Sequence, residues 1–299
     1  MKKLFFCFML CITLFAAVKQ TVSSDQWIAE YKGSGTLTLF EGKSMGRDEE
    51  FNSGVFSHYK YKIWNCTSDY WGVNQPCAVF LIENSDEKGR LKIKPKKNIG
   101  SLTQPIQIVG SNSHFKLIKV LVKKDTEHFV FKPESSGILI DGDVGKLILK
   151  SKMFVSAFYF RNLGLLSCPS MYECYLKVGQ PHIIISNAYV DINNDTNTLT
   201  SYTHGNIDTI NVKYGIEMSV ITAGAEHLRD VFTKDYSAVY TAYPPSGNIG
   251  TIKANIISGP GEKDVDWLPT TKIISANRPK LKIKPEQILT EGTSVYITQ

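Results

Sequence analysis

Past its first two dozen residues, this 299-residue chain has no apolar run approaching the ~20 residues that a membrane-spanning helix needs. Hydrophobic residues recurring at helical spacing are nearly missing too, which excludes helical bundles and alternating α/β folds. Three chemical signatures are absent: the G-x-S-x-G nucleophile elbow, the H-E-x-x-H zinc motif and a glycine loop for phosphates. The six histidines (His58, His114, His128, His182, His204, His227) are scattered, none beside a serine or cysteine in a familiar arrangement. No catalytic residues and no cofactor are therefore expected. Charge of one sign is also scarce: Lys and Arg number 34 against 28 Asp and Glu, a formal +6. Lys2, Lys3 and Lys19 belong to the first segment, and the excess left without them is too slight to imply nucleic acid.

What is present begins with an address. Lys2 and Lys3 precede an apolar stretch from Leu4 to Val18, too short to span a membrane, and Thr21 to Ser24 then form a small polar run. This order predicts a signal peptide over 1–24, cut after Ser24, with Ala17 as the alternative. Removing it leaves four cysteines. An even number in an exported chain implies disulfides, and proximity favours Cys66–Cys77 and Cys168–Cys174. The spacings do not suit zinc knuckles.

The body, 42% apolar and 21% charged, reads as strands. Alternating segments occur at 35–41, 57–64, 91–94, 115–122, 128–132, 146–150, 153–160 and 183–190. Others lie at 209–221, 236–243, 251–257, 280–284 and 294–298. They are rich in Val, Ile, Thr, Tyr and Phe and bounded by Gly, Pro, Asn or Asp. One short helix is expected at 223–234. Strands following one another without helices predict an all-β chain of two antiparallel β-sandwich, immunoglobulin-like domains, 25–165 and 166–299. The join is placed within 161–182, with 191–206 as a competing boundary. LKIKP occurs at 91–95 and 281–285 and is read as a coincidence of strand grammar.

Two features suggest binding. The first cysteine loop gathers Asn65, Asp69, Tyr70, Trp71 and Asn74, where rings can stack on sugars and polar groups can meet hydroxyls. Lys94, Lys96 and Lys97 form a basic rim beside it, suited to sulfated or sialylated glycans or to anionic headgroups. Asp191, Asn193, Asp195 and Asn197 alternate as calcium ligands would, but Thr196 and Tyr202 stand where glycine and a bidentate Glu belong. A polar loop is the preferred reading, and no metal is expected. Asp141-Gly142-Asp143 is read as a hairpin turn.

A lysine-led signal, short-range cysteine pairs, two sandwich-sized halves and no catalytic motif together resemble a Gram-negative fimbrial adhesin or minor pilus subunit. Pro245–Ile256 is similar to the glycine-rich turn and terminal strand of pilin domains, and Gly292–Gln299 to a chaperone-pairing tail. The resemblance implies a lectin-like first domain, a pilin-like second domain completed by strand addition, and a periplasmic chaperone and other pilus subunits as partners. The expected function is that of an exported, non-enzymatic adhesin at the cell surface, in a fimbrium or secreted, binding a host glycan or glycoprotein. The alternatives are a secreted membrane-acting β toxin, using 209–221, and an extracellular hydrolase.

Overall fold

The computed structural model describes residues 18–42, 77–83, 87–97, 106–111, 113–121, 137–154, 157–172, 174–179, 205–224, 247–260, 270–289 and 295–298. Described residues are strand almost throughout, and their only helical element is a 3-10 turn, Pro285–Gln287. The expectation of an all-β chain holds. The arrangement differs from the expected one: sixteen strands join one sheet and five another, and nearly every pairing is parallel.

The logic is a coil. Strand β8 (Gly137–Leu149) leads to β9 (Met153–Phe154). β10 (Ala157–Cys168) returns to pair with β8 in parallel and leads to β11 (Met171–Tyr172), which pairs with β9. β12 (Tyr175–Val178) then lies against the start of β10, with Ala157 opposite Tyr175. Each later coil has the same three runs. β13 (Ile207–Val212) and β14 (Gly215–Glu217) complete the coil opened by β12. β15 (Val220–Ala223), β16 (Ile249–Lys253) and β17 (Ile256–Ser258) make the next, and β18 (Thr271–Ile274), β19 (Lys280–Lys282) and β20 (Ile288–Leu289) another. β21 (Val295–Ile297) stacks on β18. On the other side, β4 (Cys77–Glu83), β5 (Arg90–Pro95), β6 (Ile106–Ser111) and β7 (Leu117–Val120) supply earlier coils. This is a parallel β-helix. β1 (Val18–Ser23), β2 (Trp27–Gly33) and β3 (Thr36–Gly42) add the antiparallel pairs that close its N-terminal end.

Stacking explains the stability. Phe80, Ile108, Ile138, Phe158, Leu176, Ile221, Ile273 and Ile297 lie in one register column along the first flank. Leu91, Ile118, Leu147, Leu166, Ile210, Ile252 and Leu281 do the same along the second. Met153, Met171, Ile216, Ile257 and Ile288 line the third. These columns meet in a shared interior, and all but Leu281 and Ile288 are fully buried. Each buried aliphatic side chain contributes roughly 1.5–3 kcal/mol.

Several expectations are thereby corrected. The strands do not form antiparallel sandwiches, because consecutive strands belong to different flanks and the turns between them are corners rather than hairpins. Asp141-Gly142-Asp143 lies inside β8, not in a hairpin. Residues 209–221 turn through β13, β14 and β15 instead of forming one long strand. The boundary placed between 165 and 166 falls within β10. β16, inside the stretch 245–256, has parallel partners on both edges. The segments 57–64, 128–132, 183–190 and 236–243, most of the expected helix and the calcium-like run 191–197 lie outside the described residues.

Candidate ligand-binding face

The outward residues of the second flank define the site. In a strand, inward and outward positions alternate, so the buried column above leaves its neighbours facing solvent. Lys32 of β2 pairs with Arg90 of β5, and Glu30 with Lys92; Lys92 then pairs with Lys119 of β7. Lys146 of β8 follows, exposed beside buried Leu147. At the other end Lys253 of β16 pairs with Lys282 of β19, and Thr251 with Lys280. Carboxylates that solvent reaches on the described residues of these strands are few, Glu30, Asp208 and, at the corner, Asp143, and cations outnumber them. The near balance of the whole chain does not reveal this local excess on the second flank.

At one end the charge is partly neutralised. Glu30 accepts a hydrogen bond from Lys94 Nζ at 2.6 Å and lies 3.5 Å from Lys92 Nζ. The Lys94 bond, then the field of both lysines, outweighs partial desolvation and holds the Glu30 carboxyl below its ordinary range. Lys94, expected in the basic rim, is therefore tied to a carboxylate on the neighbouring strand. Lys96 donates its backbone N–H to Gln26 O at 2.9 Å, and Lys97 is exposed. Asn65, Asp69, Tyr70, Trp71 and Asn74 lie outside the described residues, so the structure does not place them beside these lysines.

A second constellation, missed by sequence reasoning, runs along the corner between the first and second flanks. Asn162 Nδ2 donates to Asp143 Oδ1 at 2.7 Å. Asn206 N–H donates to Asn162 Oδ1, and Asn248 N–H to Asn206 Oδ1, each at 2.9 Å. Asn277 continues the line, accepting from Ile249 N–H and donating to Ile249 O, both at 3.0 Å. At the opposite end His114 Nδ1 lies 3.3 Å from Asp143 Oδ2. The side chains of His114, Asn162, Asn206 and Asn277 each satisfy a backbone group at the corner, which is a structural task. The signal for it was in the chain: Gly-Asn-Ile-x-Thr-Ile occurs at 205–210 and again at 247–252.

Cys168 and Cys174 are both buried and no disulfide joins them here, with Cys174 Sγ donating to Tyr172 O at 3.2 Å. Burial, and secondarily Cys174, pushes the Cys168 thiol well above its usual range. Cys66 lies outside the described residues. Among the described residues no group of His, Cys, Asp and Glu could hold a metal, and no helix is long and apolar enough to cross a membrane. No family model matches this chain, and neither a curated protein nor a solved structure matches it.

Proposed function

We propose that this is an exported, non-enzymatic surface protein that grips an anionic host glycan or glycoprotein through the outer face of its second flank. The local excess of lysines on that face carries the reading. Like charges set side by side across a sheet destabilise it, and pairs such as Lys253–Lys282 are retained with no carboxylate in register beside them. An anionic partner offsets that repulsion and gains from the field of the whole face. The aromatic loop around Tyr70 and Trp71 is taken as a second contact that adds specificity for sugar.

The test is binding of the purified chain to immobilised sulfated polysaccharide, with an uncharged polysaccharide as control. Salt-sensitive retention on the first alone supports the reading. Equal retention on both, or on neither, overturns it.

A further inference from the structure

The pentapeptide Leu-Lys-Ile-Lys-Pro at 91–95 and 281–285 has a spatial meaning. Its first copy forms most of β5, and its second spans β19 and the start of the following 3-10 turn. Both lie on the second flank, with Leu91 and Leu281 in one inward column. Lys92 and Lys282 consequently share one outward column, six strand steps apart. At ~4.8 Å per step the two copies are about 29 Å apart along the coil axis. Lys119 reinforces the first copy, and Lys253 the second. Between these blocks the same columns carry Lys146 and Ile148 on β8, Leu165 and Ser167 on β10, then Thr209 and Asn211 on β13, so that Lys146 is the one charge in the interval.

We infer that the ligand is a linear sulfated glycan lying along the coil axis and bridging both lysine blocks, rather than a terminal sugar held at one point. The inference rests on the function proposed above and adds the form of the ligand. Two like sites on a rigid body reward a chain that reaches both, because the second contact forms at high effective concentration. The face favours a sulfated glycan over nucleic acid. Its strand positions hold lysines and a lone arginine, Arg90, and no aromatic ring on which bases could stack.

The experiment is calorimetric titration of the whole chain with heparin-type oligosaccharides of graded length, single-stranded DNA of matched charge, and phosphatidylserine vesicles. Affinity is expected to be nearly flat for short fragments. It should rise roughly tenfold or more once the chain spans about 29 Å. Neutralising either block, Lys92→Gln with Lys119→Gln or Lys253→Gln with Lys282→Gln, should return long chains to short-chain affinity. Glutamine keeps the strand geometry, and a thermal melt checks folding; the length series itself requires no variant. Affinity independent of length sinks the bridging while leaving glycan binding intact, as does loss confined to one block. Equal or tighter binding of DNA or vesicles overturns the ligand class. Failure of every oligosaccharide to bind overturns the proposed function as well.

Discussion

At the scale of single residues, Glu30 restrains the basic face. Its carboxyl sits between Lys92 and Lys94 on the neighbouring strand, so it competes with any anion for both ammonium groups. Glu30→Gln is expected to tighten binding of a sulfated polysaccharide at neutral pH, and lowering the pH should tighten the parent chain likewise. Because the folded carboxyl is held below its ordinary range, the pair's stabilisation is present above the unfolded-state value and is lost as pH falls through the lowered one. The loss should be at most ~1 kcal/mol, as for other surface pairs. A pH titration of binding checks this, and a variant that binds no better than the parent would show Glu30 to be a bystander. The corner asparagines make an ordered comparison. Asn277 both donates to and accepts from Ile249, a buried residue, whereas Asn206 supports Asn248, which water can reach. Asn277→Ala should cost about 1–3 kcal/mol in chemical denaturation and Asn206→Ala about 0.5–1.5. The reverse order would contradict the corner's assigned role.

At the scale of elements, glycines set how tightly coils stack at the corner. A Cβ at Gly247 would stand 1.7 Å from the carbonyl oxygen of Gly205, a backbone atom that cannot rotate away. A Cβ at Gly145 would meet Lys116 O at 3.0 Å. Gly247→Ala should therefore destabilise by roughly 3 kcal/mol, and Gly145→Ala by much less; comparing melting temperatures decides it. Strand identity was legible at this scale: 35–41 and 91–94 overlap strands almost throughout, 280–284 does so over its first three residues and 294–298 over its middle three. Pairing direction was not, because alternation of inward and outward residues is the same in parallel and antiparallel ladders. The Gly and Asn residues bounding strands read as hairpin turns when each strand is assumed to pair with the next. In a coil they mark corners, and pairing skips to the following circuit, as from Ala157 to Tyr175. LKIKP and the Gly-Asn-Ile repeat held that information as spacing, which composition alone does not reveal. The basic face was only half legible for the same reason: Lys92 and Lys119, or Lys253 and Lys282, are neighbours in a column, not in the chain.

At the scale of the whole molecule, the N-terminal closure bears on processing. β1 pairs along its full length with β2. Gln20 donates to Gly35 O at 2.6 Å and accepts from Leu37 N–H at 2.8 Å. A cut after Ser24 would remove that strand, whereas a cut after Ala17 keeps it. If the chain is processed on export as proposed, N-terminal sequencing of the mature form should begin at Val18, and a start at Asp25 would show β1 to be dispensable. The corner offers another consequence. The chain departs at Gly179 and Gly224, both with positive φ, and returns at Gly205 and Gly247. Departure and return touch: a Cβ on Gly205 would lie 2.2 Å from Gly179, and one on Gly247 would lie 2.8 Å from Gly224 N. Pinched in this way, each glycine pair is a fixed doorway on the body, and a peptide grafted there would have its two ends set side by side by the scaffold.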